Sequence, residues 1–331
     1  MEKTALLVVK DLVKYFPVYT SGLLKKKVGD VHAVDHVSFT IKRKETLALV
    51  GESGCGKTTT AKLILNLEEP TSGEVYFENK NVYEIFKSGS RREILNLRRN
   101  MALVHQNPFT SLNPRLTVGG ALAEPLQIHK HIPSEQWEER ISELLKLVGL
   151  QESDAERFPH EFSGGQRQRI CIARALALNP KFIIADEPVS SLDVSIRAQI
   201  LNLLKSLQEK FGLTFLYISH DLASVRQISH QVAVMYLGEI MELADTDELF
   251  NNPINPYTKA LISAAPVPDP ESGRIKIILK GEVPSPINPP RGCRFNPRCE
   301  YASDKCRSEE PRLVQVSENH FVACHEASKI A

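Results

Sequence analysis

The 331-residue sequence predicts an α/β fold: a parallel sheet with flanking helices, a helical insertion and a small Cys-rich C-terminal extension. Three observations carry that prediction. The apolar run Leu47-Ala48-Leu49-Val50 breaks into the glycine-rich Gly51-Glu52-Ser53-Gly54-Cys55-Gly56-Lys57-Thr58 and continues as Thr59-Thr60-Ala61-Lys62-Leu63-Ile64-Leu65, which reads strand, loop, helix. Further uncharged runs, Phe182-Ile183-Ile184-Ala185 and Leu213 to Ser219, flank a helical pattern at about 194–211, the alternation of a parallel sheet. Four of the six cysteines, Cys293, Cys299, Cys306 and Cys324, fall in the last 39 residues, among prolines.

Taken in order, residues 6–16 and 31–50 read as strands, with Val37, Phe39 and Ile41 alternating with polar neighbours. Between them, Pro17 to Asp30 reads as a loop carrying Lys25-Lys26-Lys27, either a solvated run or a contact for anionic lipid or a partner. Pro70-Thr71-Ser72-Gly73 is a turn; 74–78 is a strand and 81–86 a short irregular element. From about 108 the pattern becomes helical, with Trp137, Ile141, Leu144, Leu145 and Val148 on one core-facing stripe and Gly149 just past its end. The later helix places Ile196, Ile200, Leu203, Leu204 and Leu207 together and stops at Gly212. Val232–Tyr236 and Glu239–Leu243 flank Leu237-Gly238 as a hairpin. Beyond 250, prolines accumulate (Pro253, Pro256, Pro266, Pro268, Pro270, Pro284, Pro286, Pro289, Pro290) and hydrophobic periodicity fades, so this segment needs a staple.

Hydrophobic content of 42% suffices for a packed core, and a net charge of +1 provides no global basic field for nucleic acid. No uncharged apolar run reaches the roughly 18–20 residues that span a bilayer, and Met1-Glu2-Lys3-Thr4 does not open a signal peptide. A cytoplasmic protein is expected, where a dense thiol cluster points to metal before disulfides.

The glycine loop has the composition of a phosphate cradle. Glycines at 51, 54 and 56 let backbone N–H groups converge on phosphate oxygens, helped by the dipole of the following helix. Lys57 would neutralise β/γ-phosphate charge, and the Thr58 hydroxyl would ligate Mg²⁺. Asp186-Glu187 follows a buried strand at its C-terminal end, where α/β sheets place ligands. There Asp186 would hold Mg²⁺ and Glu187 would polarise an attacking water. Ser163-Gly164-Gly165-Gln166 opens a second helix and is a second anion-binding candidate, or a plain helix cap.

With the phosphate loop, Phe162-Ser163-Gly164-Gly165-Gln166, Asp186-Glu187 and Ser191-Leu192-Asp193 in this order, the chain resembles the ATP-binding cassette (ABC) ATPases. Phe162 stands where Leu is commoner. The resemblance implies a P-loop NTPase cassette over 1–250, with a RecA-like core, an N-terminal antiparallel β subdomain and a helical subdomain at about 108–178. It assigns ATP to Ser53, Gly54, Cys55, Gly56, Lys57, Thr58 and Thr59, with Phe16 (or Tyr15) stacking on adenine. Gln106, in Val104-His105-Gln106-Asn107-Pro108, would reach Mg²⁺ and the attacking water, and His220 the γ-phosphate. Two cassettes would face head to tail, so that Ser163, Gly164, Gly165, Gln166 and Asp193 serve the partner's nucleotide.

Ser111-Leu112-Asn113-Pro114-Arg115, Glu124-Pro125-Leu126, Tyr257-Thr258-Lys259-Ala260-Leu261 and Gly281-Glu282-Val283-Pro284-Ser285-Pro286 look like the dipeptide/oligopeptide importer branch, which nickel importers resemble. That branch implies a second, homologous ATPase subunit, two transmembrane permease subunits and an extracytoplasmic solute-binding protein, with this chain on the cytoplasmic face of the membrane. It makes 251–331 a separate Pro- and Cys-rich domain. The cysteines are spaced by five, six and seventeen residues, without a close C-x-x-C pair. Four thiolates can bind zinc or an iron–sulfur cluster; the resemblance implies [4Fe–4S], with His320 and His325 as surface residues or spare ligands. The tail's distance in sequence from the phosphate loop argues against a part in hydrolysis.

A nucleic-acid ATPase of the same superfamily would insert long coiled coils or zinc modules between phosphate loop and signature. Only about 105 residues intervene here, without sustained heptads. A purely regulatory cassette would show decayed motifs, whereas Lys57, Glu187 and His220 are all present.

Overall fold

The computed structural model describes residues 4–21, 26–265 and 277–330. Lys25 of the lysine run and Pro266, Pro268 and Pro270 of the proline run lie outside the described residues. Twelve strands are described: β1 Ala5–Tyr19, β2 Lys27–Lys42, β3 Thr46–Val50, β4 Ser72–Phe77, β5 Lys80–Asn81, β6 Met101–Val104, β7 Phe182–Asp186, β8 Thr214–Ser219, β9 Gln231–Tyr236, β10 Glu239–Asp245, β11 Val314–Ser317 and β12 His320–Val322.

The chain divides into two compact units. One comprises Met1–Thr4, Lys42–Thr46 and Glu84–Ile218; the other comprises Ala5–Ile41, Leu47–Tyr83 and Ser219–Ala331. The tail beyond 250 therefore falls in the same unit as the phosphate loop.

In the first unit β7 lies between β6 and β8, parallel to both, with Met101 opposite Phe182 and Phe182 opposite Thr214. Every residue of β7 is buried, as a strand covered on both faces requires. The predicted insertion is helical, with helices at Pro108–Ser111, Val118–His129, Trp137–Leu147 and Gly164–Leu176. Leu144, Leu145 and Val148 are buried as expected. Trp137 is not in the core: it begins its helix half-buried, its indole N–H reaching the Ile132 carbonyl at 3.4 Å, because first-turn positions project beyond the packed stripe. Helix Val194–Phe211 ends at Gly212 in the left-handed region (φ 64°), where a residue without Cβ closes the last turn.

In the second unit, strands in the order β2-β1-β4-β5 form one sheet, antiparallel between β1 and β4 and between β4 and β5. A second sheet runs β11-β12-β10-β9-β3, antiparallel except for the parallel pair β3–β9. The segment read as one strand over 31–50 is two, broken by a turn at Arg43–Glu45. Within the expected loop at 17–30, residues 17–19 are the end of β1 and 27–30 the start of β2; 22–25 lie outside the described residues. Lys27 pairs with Asp30 at 2.7 Å. The element at 81–86 is largely helix, Val82–Ser88.

The tail has more core than its sequence promised. Phe295, Val322, Ala323 and Cys306 are buried, together with Arg294 and His320. Arg294 forms ion pairs with Asp35 and, at 2.6 Å, with Glu239. Burial raises the Glu239 carboxyl to about 7, against the pull of that guanidinium. His320 was expected at the surface, yet it is fully buried as the first residue of β12. Its Nε2 is 2.7 Å from Glu242 Oε1 and its Nδ1 3.4 Å from Glu248 Oε1. The Glu242 carboxylate also accepts the N–H groups of Ile254 (2.8 Å) and Asn255 (3.0 Å). The polar tail strand thus enters the sheet because its imidazole neutralises a buried carboxylate.

The hydrogen bond that His320 donates to Glu242 raises the His320 pKa above its ordinary 6.5. A group raised on folding contributes stability that is fully present below the unfolded pKa and lost as pH rises through the folded one. Melting curves between about pH 6 and pH 9 should therefore show stability falling with pH. The fall should shrink in His320→Gln, which donates a neutral hydrogen bond; equal slopes would contradict the assignment.

Candidate nucleotide site

The phosphate loop leaves β3, whose five residues are all buried, and enters helix Lys57–Ile64. Its shape admits no side chain at two points. Gly51 has φ +151°, and a Cβ there would lie 2.1 Å from the Met235 carbonyl oxygen. Gly56 has φ +110°, and its Cβ would lie 2.1 Å from the Ala33 carbonyl oxygen. Those carbonyls belong to β9 and β2, one strand from each sheet of the loop's own unit. Gly238 donates to the Cys55 carbonyl at 2.9 Å.

Lys57 is 6% exposed, with its ammonium donating to the carbonyls of Gly51 (2.8 Å) and Glu52 (3.0 Å). Cys55 is buried, and burial raises its thiol pKa. Ser53, Gly54 and Thr58 are exposed and Thr59 half-exposed. Tyr15 is committed elsewhere: its hydroxyl donates to Asp35 at 2.5 Å and its ring lies 4.1 Å from that of His32. Phe16 is half-buried with the Lys14 ammonium 4.7 Å from its ring centroid. His220 is exposed at the end of β8.

The other unit carries Asp186 and Glu187. Asp186 ends β7, 7% exposed. Glu187 follows at φ 46°, a left-handed conformation that costs a non-glycine residue about 1–3 kcal/mol and persists where its surroundings enforce it. Here its N–H donates to the Ile218 carbonyl at 2.9 Å and its carbonyl accepts the Ser190 hydroxyl at 3.1 Å. Gln106 lies 81 positions away in sequence but donates through Nε2 to Glu187 Oε2 at 2.9 Å. The structure thus brings together two residues that the sequence associated only through resemblance.

Ser163 caps helix Gly164–Leu176 reciprocally: its Oγ accepts the Gln166 N–H at 3.3 Å, and Gln166 Oε1 accepts the Ser163 N–H at 3.0 Å. A Cβ on Gly165 would lie 2.4 Å from Ile196 Cγ2, so this helix start packs directly on the next helix, which Asp193 precedes as N-cap. Ser163, Asp193 and Gln106 are exposed.

In the tail, Cys293, Cys299, Cys306 and Cys324 line one recess with Phe295 and Tyr301, a cavity of only about 10 Å³. Burial, and then the neighbouring thiols, push Cys293 up to about 12 and Cys324 up to about 11. Among the described residues no group of three or more His, Cys, Asp or Glu could hold a metal ion. His320 lies away from this recess on its glutamates, while His325 lines it and is 2.9 Å from the Glu309 carbonyl. Sequence reasoning missed three residues of the loop's surroundings: Glu52 as a side chain, Tyr257 and Arg298. None carries a local signal, since each is defined by a partner more than 200 positions away.

These features define an α/β phosphate-loop ATPase cassette. A family model of the ABC transporter matches residues 34–190, and one of the C-terminal region of oligopeptide/dipeptide transporters matches 241–306. The chain is 51% identical over 322 residues to the oligopeptide transport ATP-binding protein AppF of Bacillus subtilis, covering 97% of each. It is 49% identical over 323 residues to the dipeptide transport ATP-binding protein DppF of Haemophilus influenzae, covering 98% of this chain and 97% of that protein. A dimeric post-hydrolysis structure of the ATP-binding cassette MJ0796 bound to ADP and Pi superposes with a TM-score of 0.61 at 31% identity, covering 72% of this chain and 98% of that one. The chain belongs to the family of ABC transporter ATP-binding proteins.

The loop geometry separates the cost of backbone strain from that of a clash. Gly54, at φ +80° with nothing within 4 Å of where a Cβ would stand, should lose only about 1–2 kcal/mol on mutation to Ala. Gly56→Ala should lose distinctly more in urea unfolding. Equal losses would contradict the loop's contact with residue 33.

Proposed function

We propose that this chain is the ATP-hydrolysing subunit that powers import of di- or oligopeptides across the cytoplasmic membrane. The observation that carries this reading is likeness along the whole chain, cassette and tail together, to peptide-transport ATP-binding proteins. The nickel and nucleic-acid readings have no comparable support. Among the described residues no helix is long and apolar enough to cross a membrane, in keeping with a peripheral subunit at the cytoplasmic face. Its partners would be a second, homologous ATPase subunit, two permease subunits and, indirectly, an extracytoplasmic binding protein.

In this reading loop amides between Ser53 and Thr59 bind the phosphates, and Lys57 transfers its ammonium from the loop carbonyls to phosphate oxygens. Phe16 offers its ring to adenine, because Tyr15 is held by Asp35 and His32. Thr58, Asp186 and Gln106 offer hydroxyl, carboxylate and amide oxygens, a hard donor set that suits Mg²⁺. Mg²⁺ would neutralise charge developing on the transferred phosphoryl. Glu187, oriented by its enforced backbone and by Gln106, accepts the proton of the attacking water, and His220 faces the γ-phosphate. Ser163, Gly164, Gly165, Gln166 and Asp193 lie at two helix starts, of which Ser163 and Asp193 are exposed, and serve the nucleotide of the facing subunit.

We further propose that the four tail thiols hold a [4Fe–4S] cluster rather than a single zinc. They line one recess, and four thiolates are a ligand set for such a cluster. Such a cluster would staple the tail.

Glu187→Gln should bind ATP normally, lose at least about 10²-fold in turnover and accumulate as an ATP-bound dimer; wild-type turnover in the assembled transporter would overturn the role. Anaerobically purified protein should be brown, with iron and sulfide near four each per chain. Cys306→Ser should bleach it and expose residues beyond about 280 to protease. Colourless protein with one zinc per chain would refute the cluster.

A further inference from the structure

Glu52 and Arg298 are 246 positions apart, yet Arg298 grips the Glu52 carboxylate with two nitrogens. Nη1 donates to Oε2 at 2.9 Å and to Oε1 at 3.3 Å, and Nη2 donates to Oε1 at 3.3 Å. The Arg298 side chain is 8% exposed and that of Glu52 29%, so the pair is largely shielded from water. The guanidinium also reaches Tyr236 Oη at 3.4 Å and lies 5.9 Å from the centroid of that ring.

Glu52 is held a second time, by its backbone. Its N–H donates to the Tyr257 hydroxyl at 2.9 Å. Tyr257 is fully buried, its ring 4.7 Å from that of Tyr236 and 5.4 Å from that of Phe295. Phe295 in turn walls the thiol recess, and Arg298 immediately precedes Cys299. Both grips on this phosphate-loop residue therefore come from beyond residue 250, rooted in one aromatic cluster.

We propose that Arg298 and Tyr257 are positioning residues for the phosphate loop: by holding Glu52 at its carboxylate and its amide they keep the loop in its anion-binding shape, so that the C-terminal tail sets ATP affinity. The proposal rests on the reading of this loop as the nucleotide site. Two physical effects act in the same direction. A two-nitrogen guanidinium–carboxylate pair fixes orientation as well as distance, and a loop that stays in its binding shape loses less freedom on binding. Arg298 also neutralises a carboxylate that would otherwise stand beside the phosphates and repel them.

The test is a double-mutant cycle on the full-length chain, read by calorimetric titration with Mg·ATP. Arg298→Gln should weaken ATP binding roughly tenfold, Glu52→Gln by less, and the double variant no more than Arg298→Gln alone. Arg298→Lys, a single-point donor, should recover part of the loss. Arg307→Gln, an exposed tail arginine paired with Asp304, should bind as wild type. Should Arg298→Gln fail to fold, Tyr257→Phe keeps the ring, removes the acceptor for the Glu52 N–H and should still weaken ATP binding. Wild-type affinity in Arg298→Gln or Tyr257→Phe, or additive losses in the cycle, would overturn the brace while leaving the nucleotide-site reading intact. No binding of ATP by the wild-type chain would overturn both.

Discussion

The second unit is organised around one backbone constraint: the segment from Gly51 to Thr58 reverses the chain from strand to helix through positive φ at Gly51, Gly54 and Gly56. That shape places Gly51 and Gly56 against the carbonyls of Met235 and Ala33 with no room for a Cβ. Backbone so closely packed can be supplied only by a sheet whose neighbouring strands are themselves fixed, hence the fully buried β3 and its parallel partner β9. A strand order set by burial thus becomes the mould for a polar loop. Beyond the bonds from Lys57 to the Gly51 and Glu52 carbonyls, the loop borrows rigidity from what surrounds it.

Much of that borrowing comes from the tail. The segment beyond 250 is poor in periodic hydrophobics, yet it is not loose. It adds β12 to β10 through Leu243 and Phe321, inserts Asn255 between the carbonyls of Met241 and Ala323, and packs Phe295 on Tyr236 and Tyr257. Its charged residues are used as core: Arg294 between Asp35 and Glu239, His320 on Glu242. Removing one member of such a buried pair leaves an uncompensated charge, which costs far more than an exposed pair gains. The tail is therefore tied to the cassette by polar groups that carry no hydrophobic signature.

That explains which parts were legible in the sequence. The phosphate loop, β7 with Asp186-Glu187, the helix Val194–Phe211 and the hairpin at Leu237-Gly238 were readable because each is a local pattern: an uncharged run, a period, a glycine at a required position. Gln106 and Glu187 could be paired only through resemblance, since 81 positions separate them. His320 and Trp137 were misplaced for opposite reasons. A buried histidine is stabilised by carboxylates distant in sequence, whereas an aromatic at a helix start can fit the stripe and still lie outside the core. The break at Arg43–Glu45 was hidden by uninterrupted strand propensity on either side. Distance along the chain also hid the contacts of Glu52 with Tyr257 and Arg298, which join the tail to the phosphate loop.

The central claim is that the phosphate loop is held in shape by tail residues before any nucleotide arrives. The most direct test is amide-resolved hydrogen exchange on the nucleotide-free, full-length protein, read at Glu52. A backbone N–H bonded to the buried Tyr257 hydroxyl should exchange orders of magnitude more slowly than an open loop amide, with protection approaching that of the β3 amides. Exchange at Glu52 as fast as at the exposed Ser53 would show a loop that is free until nucleotide binds, and would contradict the account.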